Sequence, residues 1–172
     1  ITTQLDLEAG SFPVTFYGEH FRAGAQINYG SSVGHWAVRT KVIEGRSMPY
    51  IFAGKDVLKM NGATWLQTAT EAQIEQMRLL LNQGLDQGGL GIGVLLDYMT
   101  KAVSDAELRM LFEVASAREV PLYIHVRRGH TGDPAGLSEV IDRATETGAA
   151  LFVLNITHNA MGRIGDLLQI VG

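Results

Sequence analysis

Three side chains able to bind a metal ion stand near the carboxyl ends of apolar runs in this sequence. Glu8 follows the run Thr3 to Leu7, His125 lies near the end of Leu122 to Val126, and His158 comes just after Ala150 to Ile156. In parallel α/β folds, functional groups gather at that end of the strands. Imidazole and carboxylate suit zinc and similar divalent ions. Such an ion turns water into a nucleophile near neutral pH and polarises a carbonyl. A single strand-end histidine carries little information, because a buried histidine is as often a hydrogen-bonded part of the core. Two on neighbouring strands point to imidazoles that converge on one centre. Glu8 is the weaker candidate, since a strand-end carboxylate often serves only as a helix cap.

The elements that must position these residues are clearest from Thr70 onward. Thr70 and Gln73 form a capping box ahead of Ile74, Met77, Leu80, Leu81 and Leu85 at helical spacing, and Gly88-Gly89 ends the helix. The apolar run Leu90 to Leu96 reads as a buried strand. Ser104 and Glu107 repeat the capping pattern before a helix carrying Leu108, Leu111, Phe112 and Ala115. The strand Leu122 to Val126 follows, then a helix opened by Asp133-Pro134 and closed by Gly148. Ala150 to Ile156 is another strand, and a last helix starts near Gly162. Equivalent strand positions fall at Ile92, Leu122 and Leu151, spacings of 30 and 29 residues, the size of a βα unit in a parallel sheet. Continuous apolar strands imply cover on both faces. A doubly wound sheet and a (β/α)₈ barrel both satisfy this.

The first 69 residues are less regular. Thr3 to Leu7 and Gln26 to Tyr29 read as strands, and Ser31 or Ser32 as the cap of a helix running through Val42 and broken at Gly45. Residues 46 to 69 give no assignment. The glycines at 89, 91 and 93 imitate a phosphate loop but lie within a strand instead of opening a helix, so that context fails. Asp6 and Asp97 could orient ligand histidines, or simply cap turns. His35 reads as a pocket residue or a structural one, His20 and His130 as solvated, and Trp36 and Trp65 as packing.

Several segments together resemble the N-acyl-D-amino-acid deacylases of the amidohydrolase superfamily. Gly84 to Tyr98 is similar to a segment in which a helix ending in a glycine pair leads into a Gly-Leu-Ser-x-Gly-Leu-x-Tyr-like strand. Tyr123-Ile124-His125-Val126-Arg127 resembles their strand ending His-x-Arg, and Ile156-Thr157-His158 their next strand, ending Ser-His. Ile1-Thr2-Thr3 and Val33-Gly34-His35 match their Gly-Val-Thr-Thr and Val-Gly-His segments. The matches run in the same order over most of the chain.

The resemblance implies a parallel α/β fold, part of a (β/α)₈ (TIM-type) barrel. A complete barrel needs roughly 250 residues, so residues 1–172 read as a single domain holding about five βα units. It implies one or two divalent ions, zinc first, with His125 and His158 as ligands. Where those deacylases place a metal-binding cysteine, this sequence has Leu7-Glu8-Ala9 and no cysteine anywhere, which makes Glu8 the substitute. Their early His-x-His pair and late aspartate find no match and are expected before Ile1 and after Gly172. No catalytic residue is therefore assigned within the chain, and it is expected to be inactive alone. Their substrate-associated lysine is replaced by the stretch Asn159-Ala160-Met161, leaving Arg127 and Arg128 as carboxylate contacts and Tyr98 as a substrate or oxyanion contact. The implied reaction is deacylation of an N-acyl-D-amino acid, N-acyl-D-glutamate included, by attack of metal-bound hydroxide in the complete protein. Alternatives are a cyclic-amide hydrolase of the hydantoinase or dihydroorotase type, and a scaffold that has lost its site.

Composition narrows the partners. A net charge of −4 and no basic block argue against nucleic acid or a membrane surface. The longest apolar runs are far too short to span a bilayer, and lack of cysteine fits a cytoplasmic protein. A small-molecule N-acyl amino acid is the expected ligand. Open sheet edges make association with a second copy an expectation when the chain is produced alone.

Overall fold

The structure is a computed structural model that describes residues 1–22, 24–50, 60–127, 133–160 and 162–171, with only the backbone described for His158, Asn159 and Val171. Five strands, β1 (Thr3–Ser11), β2 (Asn28–Gly34), β3 (Ile92–Leu95), β4 (Leu122–His125) and β5 (Leu151–Val153), form one sheet. The helices are α1 (Val14–Phe21), α2 (His35–Glu44), α3 (Ala63–Leu66), α4 (Glu71–Asp86), α5 (Asp105–Ala117), α6 (Ala135–Thr147), α7 (Ile156–Ala160) and α8 (Ile164–Val171).

Strand order decides between the two architectures left open by the sequence. The order is β1-β2-β3-β4-β5, and every neighbouring pair is parallel. A doubly wound sheet reverses its strand order at a switch point; a barrel keeps adding strands in one direction. The sheet is also strongly curled. Strands spaced by about 4.8 Å would put β1 and β4 some ~14 Å apart if flat, yet Glu8 of β1 approaches His125 of β4 to 3.3 Å. This is part of a (β/α) barrel.

The spacing argument locates the register. Ile92 lies opposite Leu122, and Leu122 opposite Leu151. The helices line up in chain order on the outer face, α2 against α4, α4 against α5 and α5 against α6. Between them and the sheet lie Trp36, Met77, Leu81, Leu108, Leu111, Phe112, Leu122 and Val140, all buried. Trp36 and Trp65 stack at 6.4 Å, the packing role expected of them. The Thr70 hydroxyl accepts from the Gln73 N–H while the Gln73 side chain accepts from the Thr70 N–H, and α4 starts where expected.

Several boundaries differ from the sequence reading for physical reasons. β1 continues past Leu7 to Ser11, with a register irregularity between Asp6 and Ser11, so Glu8 lies inside the strand instead of following it. Ser31 and Ser32 belong to β2, and α2 begins only at His35. The run from Leu90 yields a short β3 that passes into a 3₁₀ turn, Leu96–Met99. β5 is cut short because Asn155 takes a positive φ of 55°. His158 consequently sits in α7 and not at a strand end. Residues 51–59, within the stretch left unassigned, lie outside the described residues.

Candidate active site at the barrel mouth

β4 alternates its side chains. Leu122 and Ile124 are buried beneath the helices, which turns Tyr123 and His125 to the concave face. Tyr123 packs there against Phe152 of β5, ring centroids 5.5 Å apart. His125, the last residue of β4, is 4% exposed. Its Nδ1 faces Glu8 Oε1 at 3.3 Å, and its Nε2 faces Asp97 Oδ2 at 3.7 Å. The Tyr98 ring meets the imidazole edge-on, centroids 5.6 Å apart and planes at 81°. Glu8 Oε1 also accepts from Asn155 Nδ2 at 3.0 Å. Four strands thus contribute to one cluster: β1 from within, β3 through its 3₁₀ turn, β4 by its last residue and β5 through the turn after it.

Two glycines let this happen. A Cβ on Gly93 would stand 2.5 Å from the Glu8 carbonyl oxygen and 2.7 Å from that of Leu7, so β3 and β1 approach as only glycine allows. Gly91 has a φ of 129°, and a Cβ there would meet the Pro121 carbonyl at 2.4 Å.

Electrostatics separate the roles. The hydrogen bond from His125 pulls the Glu8 carboxyl below its ordinary pKa, against the upward push of burial and with help from Asn155. Glu8 is therefore an anion at neutral pH. Burial, then the charges of Glu8 and Asp97, raise the Tyr98 phenol. Tyr98 therefore keeps its proton at neutral pH.

The donor set partly fits a metal ion. Two ligands about 2.0–2.2 Å from a tetrahedral ion are roughly 3.3–3.5 Å from each other, the separation seen between Glu8 Oε1 and His125 Nδ1. Asp97 lies on the opposite nitrogen of the ring and cannot share that ion. Its carboxylate is buried where a partner orienting the imidazole would stand. Among the described residues no group of three or more His, Cys, Asp or Glu is gathered for an ion. The side chain of His158 lies outside the described residues, as does Arg128 entirely.

Arg127 is committed to the protein. Its Nε donates to Glu139 Oε2 at 2.8 Å, its Nη1 to the Thr100 carbonyl, and its Nη2 to the Val103 carbonyl at 2.8 Å. The Glu139 carboxylate neutralises the charge that a substrate carboxylate would need. Asp6 accepts from the Gly10 N–H at 3.3 Å, a turn role. His20 stacks on Phe16, exposed, and His130 lies outside the described residues.

His35 belongs to a second cluster, in the core. Its Nε2 lies 2.7 Å from Glu107 Oε1, and Arg39 Nη1 pairs with the same carboxylate. Arg39 also donates to the carbonyls of Thr64 at 3.0 Å and Gln67 at 2.6 Å, tying α3 to α2 and α5. All three side chains are fully buried. Burial lowers the His35 pKa, against the pull of Glu107. With the ring neutral and donating through Nε2, the buried Nδ1, which has no partner, carries no proton to be satisfied. Glu107 therefore does not close the capping box with Ser104, although Ser104 still accepts from its N–H.

A curled, singly wound parallel sheet with a polar cluster toward the carboxyl ends of its strands is the arrangement of a (β/α) barrel. No protein-family model and no curated protein sequence matches the chain. Solved structures do. An N-acyl-D-glutamate deacylase from Bordetella bronchiseptica, complexed with zinc and a phosphonate mimic of the tetrahedral intermediate, superposes with a TM-score of 0.64 at 21% identity, over 98% of this chain and 39% of that one. Two D-aminoacylase structures, one a variant in complex with copper chloride and one concerned with its binuclear metal centre, give TM-scores of 0.59 at 19% and 18% identity, each over 81% of this chain and 26% of the other. The chain thus spans between a quarter and two-fifths of the length of these proteins, and shares their fold over that span. These are the deacylases that the sequence motifs resemble.

Proposed function

We propose that this chain forms part of a metal-dependent hydrolase of linear amides, with N-acyl-D-amino acids, N-acyl-D-glutamate among them, as the substrate class. The observation that carries the reading is the 3.3 Å approach of Glu8 Oε1 of β1 to His125 Nδ1 of β4, two strands intervening, at the mouth of the barrel sheet. The shared fold with D-aminoacylase and N-acyl-D-glutamate deacylase supports it.

Glu8 and His125 would hold a divalent ion, zinc by donor type, with His158 of α7 as the third ligand. When bound, such an ion polarises an amide carbonyl and lowers the pKa of water. Glu8 is already ionised, so it meets the ion with no proton to lose. Asp97 Oδ2, 3.7 Å from Nε2, would orient the ring once an ion took the place of the Nδ1 proton now shared with Glu8. Tyr98, protonated and 41% exposed, is positioned to donate to a substrate oxygen. Arg127 ties the end of β4 to Glu139 of α6 and to the Thr100 and Val103 carbonyls in this account, and the carboxylate contact is left to Arg128.

Metal content of the full-length protein, stripped with chelator and reloaded with zinc, tests the reading against His125→Ala and Glu8→Ala. Both variants should bind zinc at least about tenfold more weakly. Undiminished zinc in both overturns it. A hydrolysis panel of N-acyl-D-amino acids and cyclic imides tests the substrate class, which ring opening alone would reassign.

A further inference from the structure

The turn after β5 supplies a group that the metal reading does not use. Asn155 has a φ of 55°, in the left-handed region that L-residues avoid and that asparagine tolerates better than most. In that conformation its Nδ2 donates to Glu8 Oε1 at 3.0 Å, joining residues 147 positions apart. The same oxygen faces His125 Nδ1, and neither contact uses Oε2. Glu8 is partly exposed on a flexible three-bond stem, and an unfastened carboxylate of that kind loses rotamer entropy when it binds an ion. The amide removes that freedom beforehand.

We infer that Asn155 is a positioning residue, whose left-handed backbone aims its amide at Glu8 and fixes the carboxylate beside His125. This rests on the metal reading above, and it adds a residue that no motif marks.

Zinc affinity by chelator competition, together with thermal melting, separates the inference from a merely structural role in wild type, Asn155→Gly and Asn155→Ala of the full-length protein. Glycine adopts the same backbone freely, whereas alanine is strained there. Both remove the amide. The inference requires zinc affinity to fall about tenfold in both variants, while the melting temperature falls for alanine and not for glycine. If Asn155→Gly keeps wild-type affinity, the amide positions nothing and the inference is overturned alone. If the wild type itself binds no zinc, the metal reading falls and takes the inference with it.

Discussion

Two clusters in this molecule use the same side-chain chemistry to opposite ends. In the core, His35 and Arg39 of α2 meet Glu107 of α5, all fully buried. At the mouth, His125 meets Glu8, with Asn155 and Tyr98 around them, and Glu8 remains 38% exposed. The core carboxylate is matched by a guanidinium whose Nε and Nη2 donate to backbone carbonyls. The mouth carboxylate is matched by an imidazole and an amide, which can be shared with or yielded to an incoming ion. Histidine beside a carboxylate is therefore not a signature of function by itself; in the proposed reading the difference lies in solvent access and in Glu8 having no guanidinium partner among the described residues.

The largest expected effect breaks the core cluster. Glu107→Ala leaves Arg39 buried without its counter-ion and should cost about 3–5 kcal/mol in denaturant unfolding, with zinc binding of the surviving folded fraction unchanged. Acid attacks the same cluster in the wild type. A histidine whose folded pKa is lowered takes up its proton more readily when unfolded, so stability should begin to fall as pH drops below about 6.5. Glu107, with its pKa also lowered in the fold, adds a further loss below its ordinary value of 4.5. A His35→Gln variant should flatten the upper part of that profile; an unchanged profile would show that another group sets it.

The next effect acts at the mouth. Gly93→Ala puts a methyl against the backbone oxygens of Leu7 and Glu8, costing about 1–3 kcal/mol and displacing Glu8, so stability and zinc affinity should fall together. Arg127→Ala should cost about 1–2 kcal/mol through its lost charged hydrogen bonds, with KM for an N-acyl-D-amino acid in the full-length enzyme little changed; a tenfold rise in KM would return Arg127 to the substrate. The exposed pair Arg163 and Asp166 sets the floor: Asp166→Ala should change stability by no more than about 0.5 kcal/mol.

The spacing of Ile92, Leu122 and Leu151 was legible because a βα unit has a nearly fixed length, and the three residues are direct register partners. The Thr70–Gln73 box was legible for the same local reason. The irregularity that keeps Glu8 within β1 was not, since it goes with the close approach of Gly10 to Ser32 and Gly34 of β2 and leaves no periodic trace. Glu107 read as a capping residue because its spacing from Ser104 fits one; its second allegiance, to His35 and Arg39, is a tertiary fact. The four-residue interval between His35 and Arg39 on one helix face was the available hint. Of the mouth, the sequence pointed to Glu8, His125, Tyr98 and Asp97. It did not point to Asn155, whose role depends on a backbone turn.

Anomalous diffraction at the zinc edge from crystals of the full-length protein soaked in zinc tests the central claim most directly. The account predicts a peak about 2.0–2.2 Å from a Glu8 carboxylate oxygen and from His125 Nδ1. A mouth without such a peak, with zinc bound elsewhere or not at all, would contradict it.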